Sequence, residues 1–158
     1  MNISIFIHPY HTLYTASGQF DFDDIPFGYK TLELFEHDLI HLMTHSQGMG
    51  LAANQIGITK RFFAIGHESF DVFQKPAIIY NPVLVSADEE QEVLQEGCLS
   101  LPGLLLQVSR PKMVLARYQN NKGEFLMSRL TDMEARCFHH ELDHINGVTF
   151  NQRAEKEI

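Results

Sequence analysis

Basic residues are scarce in this 158-residue chain, where 12 Lys and Arg stand against 20 Asp and Glu for a formal net charge of -8. A phosphate-binding surface needs a basic face, so nucleic acid is excluded as a direct partner. Long apolar runs are also missing. No stretch reaches the roughly 18 to 20 residues that cross a bilayer. The opening residues, MNISIFIHPYHTLY, carry neither a basic segment nor a small-residue cleavage site. The chain therefore reads as cytoplasmic, with no membrane partner. Cysteine is nearly absent, with only Cys98 and Cys137. Two thiols without an export signal argue against a disulfide framework and for reduced, metal-binding sulfur. No repeat, low-complexity tract or flexible linker divides the sequence, so one domain over residues 1–158 is expected.

What is present is 44% hydrophobic and 11% aromatic, a composition that buries a sizeable core without disulfides or a structural metal. Any metal is then functional. Residues 31–45 set Leu32, Phe35, Leu39, Leu42 and Met43 at helical spacing, with Gly48 and Gly50 ending the element. Short apolar or alternating runs at 61–66, 77–85, 104–108, 112–119 and 124–130 read as strands. Asn120 to Gly123 supply the turn of an antiparallel hairpin joining the last two. Thr131 and Glu134 fit a capping box, which predicts a second helix from about 132 to 144, stopped near Gly147. Strands followed by a helix, without βαβ alternation, give an α+β domain, mostly antiparallel around that helix.

The second helix carries His140-Glu141-Leu142-Asp143-His144. Histidines four apart project from one helical face and present two nitrogens to one ion, while the intervening Glu reaches a water beside it. A hydrolytic metal site needs a third ligand and an open position. Metzincins place a third His six residues on, but position 150 is Phe. Too little chain follows His144 for a thermolysin-like Glu. An upstream thiolate is the natural candidate. Cys137 lies about 10.5 Å along the helix axis from His144, too far for one ion. Cys98, in the extended segment Glu96-Gly97-Cys98-Leu99-Ser100, is preferred, with Cys137 lining the same cavity. A second row, His37, His41 and His45, lies off the apolar stripe of the first helix and reads as a solvated face that also suits adventitious Ni or Zn.

Three motifs stand in order: Gly48-Met49-Gly50-Leu51-Ala52-Ala53-Asn54-Gln55-Ile56-Gly57, Glu96-Gly97-Cys98-Leu99-Ser100 and His140-Glu141-Leu142-Asp143-His144. Together with Asn81-Pro82 and Gly147 they resemble the peptide deformylases over roughly residues 28–150. The resemblance implies hydrolysis of the formyl group from the N-terminal formyl-methionine of nascent polypeptides, at the ribosome, by a monomer. It implies one divalent ion on Cys98, His140 and His144. That ion is Fe2+ in many native members, and Zn2+, Ni2+ or Co2+ replaces it on isolation. Glu141 would then be the proton-transfer group, with Gln55 and the Leu99 backbone N–H stabilising the oxyanion. The backbone around Gly48, Met49 and Gly50 would pair with the substrate, and Gly50 would allow close approach, with Gly97, Arg136 and Cys137 completing the peptide site. Glu96 and Arg110 stand where an orienting ion pair is implied, against the alternative of an exposed pair of little worth.

The pattern breaks mainly near the pocket. Arg136 occupies a position where the resemblance implies an apolar wall. It either snorkels outward, leaving its stem as wall, or selects an acidic or polar substrate group. His139 replaces a Gln, Tyr10 and Tyr14 replace an Asp and Arg pair, and Leu105 replaces an Arg. Two rival readings remain open at this point: a deformylase-like hydrolase with altered acyl-peptide specificity, and a catalytically silent metal-containing module that binds peptides.

Overall fold

A computed structural model describes residues 2–154. The element order is α1 (Leu32–His45), β1 (Gly50–Ala52), β2 (Phe62–Ile65), β3 (Ala77–Ala87), β4 (Gln91–Cys98), β5 (Leu101–Pro111), β6 (Met113–Gln119), β7 (Phe125–Thr131) and α2 (Asp132–Ile145). Short 3-10 turns precede α1, join β1 to β2 and follow α2. Five strands form one antiparallel sheet in the order β1-β2-β3-β6-β7, and β4 pairs with β5 in a separate two-stranded sheet. The expected α+β architecture is the one observed.

Alternation along β2 explains the layering. Successive strand side chains point to opposite faces. Phe62 and Ala64 join Ile78 and Tyr80 of β3 in one core, which receives Phe35, Leu39 and Met43 of α1. Phe63 and Ile65 join Ile79 of β3 in the other core, which receives Ala135, Phe138, Leu142 and Ile145 of α2. The sheet is thus covered by a helix on each face, so β2 is buried at all four positions. A smaller cluster of Leu101, Val108 and Phe150 seats the two-stranded sheet beside α2. The catalytic-type helix therefore lies between both sheets.

Local signals act largely as expected. Thr31 caps α1 by accepting the Leu34 N–H at 3.3 Å, and Gly48 N–H closes its end on the Met43 carbonyl at 2.9 Å. In the β6–β7 hairpin, Asn120 Oδ1 accepts the N–H groups of Lys122 and Glu124 at 2.9 and 3.0 Å. Gly123 takes a φ of 76°. The row His37, His41 and His45 is exposed. At the N-terminal end the Tyr14 hydroxyl bonds His8 and the Tyr10 ring stacks on Phe6, while Leu13 is buried.

Two expectations fail. Strand β4 is absent from the sequence reading because its run QEVLQEGC is mostly polar, and it pairs only with β5. The capping box at Thr131 and Glu134 does not form either. Thr131 precedes α2 but its side chain accepts no helix N–H. The Glu134 carboxylate turns instead to the loop before β3, accepting the backbone N–H of Phe73 at 2.7 Å, Val72 at 3.0 Å and Asp71 at 3.3 Å. Three buried or half-buried donors outweigh one helix end. Glu134→Ala should therefore cost about 2 to 3 kcal/mol by urea denaturation, while Thr131→Ala should stay within about 0.5 kcal/mol. Equal losses would restore the capping box.

Candidate metal centre

The Cys98 sulfur reaches α2 because β4 ends irregularly. The β4–β5 register slips between Glu96 and Cys98, and such a slip re-aims a side chain out of the regular pleat. Cys98 Sγ lies 3.3 Å from His144 Nε2. The ligand atoms of Cys98, His140 and His144 all fall within 4.8 Å of one another. A soft thiolate and two imidazoles are a donor set for a later divalent metal, with room for a fourth position. The electrostatics agree. Burial pushes His144 well below its ordinary range, aided by the charges of His140 and Arg110, so its ring is a neutral ligand. Burial also opposes charge on His140, but hydrogen bonds to Cys98 and Glu96 overcome it and raise the ring to about 10. That field favours a cation at this point. Cys137 is different. Burial, followed by the charge of Glu141, holds its thiol well above its normal value, so it stays protonated in the cleft wall.

Behind the ligands sits Glu96. Arg110 grips it with Nε to Oε1 at 2.9 Å and Nη2 to Oε2 at 3.1 Å. Arg136 Nη1 donates to Oε1 at 2.8 Å, and His140 Nδ1 lies 2.9 Å from Oε2. Burial alone would raise this carboxyl, yet the bonds from His140 and Arg110, with the charge of Arg110, hold it far below the carboxylate range. Glu96 is therefore an anion that fixes the His140 ring with Nε2 toward the ligand cluster. The pair with Arg110 is buried, with side chains 6% and 2% exposed, so the exposed-pair alternative is corrected. Arg136 is corrected too. It does not snorkel outward: only 4% exposed, it also donates to the carbonyls of Val108 at 2.9 Å and Glu92 at 2.5 Å. Its charge is engaged with the protein's own acceptors while the residue lines the cleft.

The cleft has a volume of about 440 Å³ and is lined by Gly48, Met49, Gly50, Gln55, Gly97, Cys98, Leu99, Arg136, Cys137, His140 and Glu141. These residues were expected at the site from the sequence, as was His144, which is buried; Gln47, Gln95, Glu96, Pro102, Gly103 and Met133 complete the lining. Burial pushes the Glu141 carboxyl up to about 7, opposed by the charge of His140 and assisted by Glu96. Its Oε2 is buried with no hydrogen-bond partner among the described residues. Gly50 has a role the sequence reading placed elsewhere: a Cβ there would lie 2.5 Å from Glu141 Oε1. The missing side chain makes room for the carboxylate. Gln55 is held in one orientation, because its Oε1 accepts the Ala52 N–H at 2.9 Å. Its Nε2 then points to Ser100 Oγ at 3.1 Å and Cys98 Sγ at 3.7 Å.

Three contributors escaped the sequence reading. Asn54 Nδ2 donates to the His144 carbonyl. Asp143 accepts from Arg110 Nη1 at 2.6 Å and from Arg153 Nη2 at 2.9 Å. Met133 lines the cleft. The position of Asp143, three residues after His140 on α2, was the available signal. If Cys98 is the ligand, Cys98→Ala should bring metal content close to zero in the purified protein, while Cys137→Ala should leave it near one ion per chain. Elemental analysis of both variants decides the matter, and the opposite pattern would reverse the choice of thiolate.

The comparisons bear on this geometry directly. The Polypeptide deformylase family model matches residues 4–157. A peptide deformylase of Thermotoga petrophila is 43% identical over 124 residues, covering 78% of this chain and 70% of the relative. The crystal structure of peptide deformylase from Thermotoga maritima overlays with a TM-score of 0.85 at 34% identity, covering 98% of both chains. A class I type b peptide deformylase from Acinetobacter baumannii, solved with Met-Ala-Ser bound, shares the fold with a TM-score of 0.85 at 24% identity and covers 97% of this chain and 98% of that one. With the family match running across the chain, and Cys98, His140 and His144 clustered beside Glu141, this chain belongs to the polypeptide deformylase family.

Proposed function

We propose that this protein removes the formyl group from the N-terminal formyl-methionine of nascent polypeptides, releasing formate. The observation that carries the reading is the buried Glu141 Oε2, unpartnered among the described residues, beside the Cys98, His140 and His144 cluster. Those three residues would hold one divalent ion, for which we propose Fe2+ as the native choice. When bound, such an ion supplies Lewis acidity and brings the pKa of a water near 7. Glu141 accepts the proton of the attacking water and returns one to the leaving amine. Gln55 Nε2 and the Leu99 N–H serve the developing oxyanion. The Gly48 to Gly50 backbone pairs with the extended peptide, and Met49, Met133 and Cys137 offer an apolar wall to the methionine side chain. The Met-Ala-Ser peptide bound by the Acinetobacter baumannii relative supports a site for peptides that begin with methionine. We further propose a cytoplasmic monomer that meets its substrates at the ribosome.

The test is formate release from formyl-Met-Ala-Ser by protein purified without oxygen, with iron measured in the same sample. Glu141→Ala should lower kcat by at least about 10²-fold without loss of metal. A wild type that holds its ion but never turns over would leave only peptide binding. The pH profile carries a sign as well. Glu141 is a base only when ionised, so kcat/KM should fall on the acid side; a bound cation draws the carboxyl down from about 7, placing that limb below neutrality.

Gly50→Ala gives a separate check, since the new methyl group collides with Glu141 rather than with a ligand. Turnover should drop while metal content persists. Full activity in that variant would show that the carboxylate moves freely.

A further inference from the structure

The histidine row on α1 takes no part in the chemistry above, and two of its members are arranged differently from the third. His37 is engaged, with Nδ1 at 3.2 Å from Asp38 Oδ1, and its ring stands 6.4 Å from that of His41. His41 and His45 lie face to face, with centroids 3.9 Å apart and planes 25° from parallel. Both are exposed, and their ring nitrogens have no hydrogen-bond partner among the described residues. The helix beneath them is firmly seated, because Phe35, Leu39 and Met43 on its other face are fully buried. Two available imidazoles, one turn apart on a rigid helix, share the i, i+4 spacing of His140 and His144 on α2. Those rings stand at 68°, so the stacked pair must turn about its side-chain torsions to converge on one ion, a motion that exposure permits.

We propose that His41 and His45 form a second, surface metal site for a later first-row divalent ion such as Ni2+, Cu2+ or Zn2+, with water completing the coordination. Imidazole nitrogens suit these ions, and their affinity order favours them over Fe2+. Exposure spares the cation the cost of burial, so it sheds only the waters that the two imidazoles replace. The chelate closes over the last turn of α1, and Gly48 is tied back to that turn through the Met43 carbonyl at 2.9 Å. An ion there clamps the helix end from which the Gly48 to Gly50 segment departs. The inference does not depend on the hydrolytic reading, because neither histidine lines the cleft.

The experiment is calorimetric titration of NiCl2 into the metal-loaded enzyme, with the resident ion counted before and after. One additional ion per chain is expected. His41→Ala and His45→Ala should each weaken it by at least about tenfold, because one imidazole alone forgoes the chelate, and the double variant should abolish it. His37→Ala should leave the affinity within about twofold. Unchanged far-ultraviolet dichroism and formate release in these variants would show that the fold is intact. No additional ion, an ion that survives the double variant, or an equal loss in His37→Ala would each overturn the assignment.

Discussion

Glu96 is the constraint on which the centre depends. One buried carboxylate accepts from two guanidiniums and an imidazole, joining β5, the second turn of α2 and a histidine of the candidate metal centre. A buried ion pair contributes little net stability, because desolvation offsets most of the attraction. Its value here is directional. Fixing the Nδ1 side of His140 aims the other nitrogen, and Arg110 reaches on to Asp143, one residue before the second histidine. Both histidines are thereby braced from the side opposite the cleft. Arg136 adds a second cation to the same carboxylate and closes the gap between β4, β5 and α2.

The catalytic helix is held from several directions. Its apolar face packs on the large sheet through Phe138, Leu142 and Ile145, its polar face meets the Glu96 network, and its first turn is engaged by the loop that Glu134 binds. Glu141 occupies the remaining face, where the backbone of Gly50 approaches closely. A carboxyl surrounded this way is displaced from water, and its elevated pKa follows from that confinement. Glu141, His140 and His144, proposed as base and ligands, therefore stand on a helix already seated by core packing, as precise chemistry requires.

The parts legible in the sequence were those governed by short-range geometry. Two histidines four apart on a helix share a face whatever surrounds them, so His140 and His144 could be paired at once, and helix length alone disqualified Cys137. The hairpin at Asn120 to Gly123 was equally local. Glu134 shows the limit. Its spacing from Thr131 matched a capping motif, but backbone donors some 60 residues earlier in the chain claimed it. Arg136 and Glu96, 40 residues apart, could not be matched without the fold, so the Arg was read against solvent or substrate instead. Strand β4 was hidden because its ladder with β5, rather than an apolar pattern, defines it.

The cluster also has a topological meaning. Cys98 belongs to the small sheet, whereas the histidines belong to the helix packed on the large one, 46 residues away in the case of His144. An ion coordinated by all three is a cross-link between the two halves of the molecule, closing a long loop much as a disulfide would in a secreted protein. In a chain with no disulfide of its own, the bonds that equip the centre for hydrolysis would also restrain the separation of its two sheets.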